Sequence, residues 1–187
     1  MDDIYHAVLA IDEPELVTTS NVPQFSKLEA AFQIPGLLNA LQDVQTFEAL
    51  GIYLDYEMDK KATANKKYGE NHAKLATLLD LVEISSSHTM QVSETCFGNL
   101  FCMLSDDEKM RVAARLAFRI PVVQRVLIDA ASGEVCIADY LKPFSESTKK
   151  RRLPNVRSLL NLIGSCTGEA DVKLIASLRN VRGLQWD

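Results

Sequence analysis

A chain of 187 residues, 47% hydrophobic and 24% charged, has the makeup of an ordinary globular protein of one large domain or two small ones, which excludes a disordered chain. No apolar run approaches the roughly 18 residues needed to span a bilayer. The acidic start Met-Asp-Asp-Ile-Tyr-His lacks a basic leader, so a cytoplasmic protein is expected. A net charge of -5 argues against wholesale attraction to nucleic acid, but footprints are local and a basic patch can work within an acidic protein.

The charges are unevenly spread. Acids gather at Asp2, Asp3, Asp12, Glu13 and Glu15, and again at Asp106, Asp107 and Glu108. Cations gather at residues 60–74 and 149–157.

The first 29 residues read as an irregular lead-in, with Pro14, Pro23 and several Ser and Thr breaking any pattern. Pro35-Gly36 reads as a further break. From Leu37 to Tyr56, Leu38, Leu41, Val44, Phe47, Leu50 and Leu54 recur at helical spacing. Gly51 interrupts them, which suggests two short helices or one broken one.

Residues 58–82 follow with a second helical pattern through Tyr68, Ala73, Leu75 and Leu79, and with cations at Lys60, Lys61, Lys66, Lys67 and Lys74. Gly69 sits mid-way at a propensity cost. Two short extended pieces, Leu81–Ile84 and Met90–Ser93, flank small polar residues and predict a β-hairpin. A helix pair followed by a hairpin is the layout of a winged helix.

Ser105 before Asp106-Asp107-Glu108 is a helix start: Ser caps, Glu108 stands at the capping-box position, and acids suit the positive end of the helix dipole. That helix runs to about Arg119, and Ile120-Pro121 restarts it. Ser132-Gly133 is a turn. Val135–Leu141 is a short element. Ser147-Thr148-Lys149-Lys150-Arg151-Arg152 then opens a helix whose apolar back is Leu153, Val156, Leu160 and Ile163. Five cations, Lys149, Lys150, Arg151, Arg152 and Arg157, fall within its first turns. Pro154 lies where an uninterrupted helix is expected, so the helix either kinks or begins at Leu153-Pro154 with the cations in a preceding turn. Gly164 to Gly168 ends it, and Val172–Leu178 reads as a strand.

These readings give a mainly α fold with small β wings, as two consecutive winged-helix-like units at 30–104 and 105–187, with the lead-in packed on the first. The second half repeats the layout of the first without repeating its residues.

The pattern Tyr68-Gly69-Glu70-Asn71-His72-Ala73-Lys74-Leu75-Ala76, followed by Leu79-Asp80-Leu81-Val82, resembles the second and third helices of winged-helix modules appended to some type II restriction endonucleases and related defence proteins. The Ser- and Thr-led basic helix at 147–152, continuing through Val156-Arg157-Ser158-Leu159-Leu160, looks like that of a following winged helix in the same proteins. The resemblance spans residues 30–187 and rests on short motifs. It implies double-stranded DNA binding, as a regulator or specificity accessory of a restriction or defence system. A nuclease domain is lacking, so it does not imply cleavage.

On this reading Lys149, Lys150, Arg151, Arg152 and Arg157 neutralise phosphates, and Lys60, Lys61, Lys66 and Lys67 form a second contact zone. Asn65, Asn71, Ser147, Thr148 and Asn155 are the candidates to read bases. The rival reading is a module that docks a partner protein such as a nuclease.

Enzyme chemistry is not expected. Asp139 to Lys142 and Glu169-Ala170-Asp171-Val172-Lys173 lack the Glu-x-Lys half of a metal-nuclease pattern. There is no Gly-rich phosphate loop. Cys96, Cys102, Cys136 and Cys166 form no Cys-x-x-Cys pair, and Cys96 and Cys102 read as small buried hydrophobes. His6, His72 and His88 are far apart, so no metal or cofactor is predicted. His72 reads as a surface or half-buried helix residue, and Trp186 as docking the tail.

Overall fold

The computed structural model describes residues 1–55, 61–85 and 90–184. Among the described residues the chain is mainly helical, with two small sheets. It divides into two compact units. One joins Met1–Pro23 to Met110–Asp187, and the other is Gln24–Lys109. The start of the chain therefore belongs with the stretch from Met110 onward and not with the residues that follow it.

The Gln24–Lys109 unit contains α2 (Leu28–Leu41), β1 (Gln45–Thr46), α3 (Phe47–Leu54), α4 (Ala62–Leu78), β2 (Val82–Ile84), β3 (Gln91–Glu94) and α5 (Cys96–Cys102). The strands form an antiparallel sheet in the order β1-β3-β2, with Val82 opposite Glu94 and Thr46 opposite Gln91. The expected hairpin is β2–β3. The expected break at Pro35-Gly36 is absent: both residues lie within α2. Proline removes one helix hydrogen bond, but here Pro35 is buried between the fully buried Ile34 and Leu38, and packing outweighs the loss. Ala31, Leu50, Leu75, Leu79, Leu81 and Val92 complete the core, each 0% exposed. Burying side chains of Leu or Val size contributes roughly 1.5–3 kcal/mol apiece. Phe32 meets Phe101 of α5 edge-on at 5.6 Å.

Two glycines in this unit, Gly51 and Gly69, are explained by the α3–α4 crossing. A Cβ on Gly51 would lie 1.9 Å from the Asn65 carbonyl oxygen, and one on Gly69 would lie 1.9 Å from that of Phe47. Two helices can approach so closely only where side chains are missing. Neither glycine interrupts its helix.

The other unit begins with α1 (Asp2–Leu9), so the first residues are not the irregular segment expected of them. Residues 10–27 do lack helix and strand. Tyr5 and Val8 are the buried face of α1, which packs on α7 and α10. The Tyr5 hydroxyl lies 2.5 Å from Ser177 Oγ and 3.4 Å from the Leu127 carbonyl, and burial pushes its pKa up. Next come α6 (Asp106–Ala117), which crosses the division between the units, α7 (Pro121–Ala130), β4 (Val135–Cys136) and α8 (Ile137–Tyr140). The unit ends with α9 (Glu146–Ser165), α10 (Val172–Arg179) and β5 (Val181–Arg182). The Ser105 box forms as read: Ser105 N donates to Glu108 Oε2 at 2.9 Å, and Glu108 N to Ser105 Oγ at 3.4 Å. Pro121 opens α7.

Two expectations are corrected here. Val172–Leu178 is helix, not strand: Leu174 and Leu178, four apart, are both fully buried, so its apolar pattern has the helical period. Cys96 is exposed and Cys102 is half-buried, so neither is a buried hydrophobe; Cys96 opens α5 and faces outward.

Candidate nucleic-acid interface

The basic helix α9 is 20 residues long and starts before its cations, not after them. Ser145 caps it, with its Oγ accepting from Thr148 N at 3.4 Å. Pro154 therefore lies inside the helix. Val156, Leu159, Leu160 and Ile163 are all 0% exposed and anchor its back to the core.

Helical geometry then sorts the five cations by direction. Lys150, Arg151, Pro154 and Arg157 are exposed, as is Ser147. Their spacing puts them on one outward stripe. Arg151 Nε donates to the Ser147 carbonyl at 3.1 Å, which orients its guanidinium along the helix. The Arg157 guanidinium lies against Gly183, where a Cβ would sit 3.2 Å from Nη2. Gly183 has a φ of 82°, a left-handed turn after β5 that favours glycine, so the turn holds Arg157 from behind.

The other two cations are engaged. Lys149 pairs with Glu146 at 2.7 Å, and its side chain is 26% exposed. Arg152 turns away from the stripe altogether. It falls four and seven residues before Val156 and Leu159, on the buried row. Its Nη1 donates to the Thr19 carbonyl and, at 2.5 Å, to the Val22 carbonyl. Burial, and then the charge of Arg151, lowers its pKa. Arg152 is thus bonded through Nη1 to the protein's own backbone and lies off the exposed stripe, half-buried. Thr148 is half-buried and bonded to the cap through its hydroxyl, 2.9 Å from Ser145 Oγ. Asn155 is 5% exposed and faces the core, so it is not placed to read a base.

In α4 the picture is mixed. Lys60 lies outside the described residues, as do His88 and Trp186. Lys61 stands at the N-cap, and Lys61 and Lys66 are exposed. Lys67 and Lys74 both pair with Glu70, at 2.9 and 2.6 Å. Burial raises the Glu70 pKa, but the two lysines more than offset it, and Glu70 stays below the usual carboxylate range. Glu70 thereby neutralises part of the charge on this face. Asn65 is half-buried against Gly51, and Asn71 is half-buried.

His72 is 1% exposed, more buried than the sequence suggests. The Tyr68 carbonyl, 2.8 Å away, accepts from Nδ1, which leaves Nε2 to accept from Ser26 N and Oγ, both at 3.4 Å. The Tyr68 ring lies 4.2 Å from the imidazole. Burial pulls the His72 pKa down against the opposing effects of the Tyr68 and Lys27 backbone and the Asp55 charge. His72 is a buried structural pin between α4 and Ser26.

Among the described residues no group of three His, Cys, Asp or Glu side chains is placed to hold a metal ion, and no helix is long and apolar enough to cross a membrane. A cleft of about 410 Å³ beside the end of α9 is lined by Thr167, Glu169, Ile175, Leu178 and Arg179 among others; no residue of the cationic stripe lines it. The candidate interface is therefore a helix surface. Comparison of the chain with protein-family models, with curated proteins and with solved structures finds no match.

Proposed function

We propose that this protein binds double-stranded DNA without cutting it, through two winged-helix-like units, as a regulator or specificity accessory of a restriction or defence system. The observation that carries this reading is the outward stripe of Ser147, Lys150, Arg151 and Arg157 on α9. Its three cations are backed by a packed helix, and a stripe of this kind is what a helix laid along a phosphate backbone needs.

The element order supports it. In the Gln24–Lys109 unit, helix, short strand, two helices and a hairpin with strand order β1-β3-β2 follow the winged-helix plan. In the other unit α7, β4, α8 and α9 repeat the first part of that plan. There, α10 replaces the hairpin, and β5 pairs with β4 in parallel. The restriction or defence context rests on the motif resemblance alone.

The test is duplex affinity at several salt concentrations for the wild type and for a variant with Lys150, Arg151 and Arg157 all changed to Ala. Each lost phosphate contact lowers the log–log salt slope by up to about 0.9. The expected variant binds every duplex sequence about equally more weakly and unfolds at the wild-type temperature. A wild type that binds no duplex at low salt overturns the reading.

The protein-docking alternative has its own observation. Leu100 and Met103, one turn apart on and just after α5, are 65% and 81% exposed. If DNA binding fails, that surface is the place to look for a partner.

A further inference from the structure

We infer that residues 11–22 form an acidic strap, fastened to the basic helix by Arg152, that holds down the affinity of α9 for polyanions. The inference rests on the DNA-binding reading above. Three observations carry it, all within one compact unit.

The first is the clasp. Arg152 belongs by sequence to the cationic run, yet its Nη1 donates to the carbonyls of Thr19 and Val22. One cation of the run thus tethers a loop.

The second is that the strap is ordered by its own bonds. Asn21 is 7% exposed, and its side chain accepts from Thr18 N at 2.7 Å and donates to the Leu16 carbonyl at 2.9 Å and to Glu15 Oε1 at 3.0 Å. Val22 is 2% exposed. The strap is therefore seated at its clasp end.

The third is its charge. Asp12, Glu13 and Glu15 are all exposed. Glu15 is bonded to Asn21, the neighbour of the residue that Arg152 bonds, so at least one carboxylate is held at the clasp end of the strap. Charges within a Debye length of about 10 Å at 0.1 M salt act on an incoming polyanion. In this inference the three exposed carboxylates of the strap oppose an incoming phosphate backbone by long-range repulsion.

The experiment uses the full chain and measures affinity for one duplex at several salt concentrations. Two variants are compared with wild type: the triple change D12N, E13Q and E15Q, and Arg152→Met. Gln at position 15 keeps an acceptor for Asn21. The triple variant is expected to bind about three- to tenfold more tightly at low salt, an advantage that shrinks as salt rises. Arg152→Met is expected to bind at least as tightly as wild type despite losing a positive charge, because it frees the strap. Binding by the triple variant alone also supports the inference, since the strap then masks the helix completely. A triple variant equal to wild type overturns the strap while leaving DNA binding intact. So does an Arg152→Met variant that unfolds like wild type yet binds more weakly, since Arg152 then contacts phosphate. If Arg152→Met does not fold, the triple variant decides alone. Binding by neither wild type nor the triple variant overturns the DNA reading and the strap together.

Discussion

Gly69 of α4 touches Phe47 of α3 backbone to backbone, with room for a hydrogen and nothing larger between them. The reciprocal contact of Gly51 with Asn65 lies on the same crossing. This pair of contacts sets how α4 is carried. Alanine at position 69 must push the Phe47 carbonyl aside, and no flexible side chain is there to yield. Although alanine is the better helix former, Gly69→Ala is expected to destabilise the protein by about 2–4 kcal/mol, as overpacking against rigid backbone does. Urea unfolding measures it. A neutral or stabilising result would mean the helices separate freely.

The division of the chain predicts which pieces fold alone. Residues 105–187 contain most of one unit but lack α1, which supplies Tyr5 and Val8 to it. Expressed alone, that fragment is expected to be poorly folded. Joining residues 1–23 to it should restore cooperative unfolding. Residues 24–109 should fold unaided. Circular dichroism through a thermal ramp distinguishes these outcomes, and a fully cooperative 105–187 fragment would show α1 to be dispensable.

Within that unit, Tyr5→Phe removes the partner of the buried Ser177 hydroxyl. An orphaned buried hydroxyl costs about 1–3 kcal/mol. Replacing Ser177 by Ala in the same chain should recover part of the loss, which a double-mutant cycle reads directly.

His72 gives the protein an acid sensitivity. Its folded pKa lies below the unfolded value of 6.5, so the unfolded chain binds the proton more readily. Stability is then full above that value and falls as pH drops from about 6.5 toward the folded pKa, by at most about 1.4 kcal/mol per pH unit for one proton. Unfolding free energies between pH 8 and pH 5 should show that fall in the wild type and a flatter profile in His72→Gln. Parallel profiles would assign the acid sensitivity to other groups.

How much of this was legible in the sequence depends on the range of the forces involved. Short-range devices were readable: the Ser105–Glu108 box, the Pro121 restart and the β2–β3 hairpin each depend on residues within a few positions of one another. Val172-Lys173-Leu174-Ile175 looks like a strand because branched residues dominate it, and only the burial of Leu174 and Leu178 against the core reveals the helical period. The sorting of the basic helix was half legible. Once the helix is taken to start at Glu146, spacing alone puts Arg152 in line with Val156 and Leu159 and away from Arg151. Treating the cations as one cluster hid that. The partners of Arg152 and Tyr5 were out of reach, because the Val22 carbonyl and Ser177 lie 130 and 172 residues away along the chain. The glycines of the α3–α4 crossing read as breaks because a sequence shows what a glycine permits locally and not which backbone approaches it.

The bond between Tyr5 and Ser177 also has a kinetic meaning. Residues 24–109 make their contacts among themselves and can collapse while the rest of the chain is still being made. Helix α1, synthesised well before its partners, cannot bury its apolar face until α7 and then α10 emerge. For that interval Tyr5 and Val8 are exposed to solvent and to other chains. Closing so long a loop is slow relative to local helix packing. A segment made well before its packing partners is thus among the last to be secured, and during synthesis α1 is where a chaperone or a neighbouring nascent chain would find something to hold.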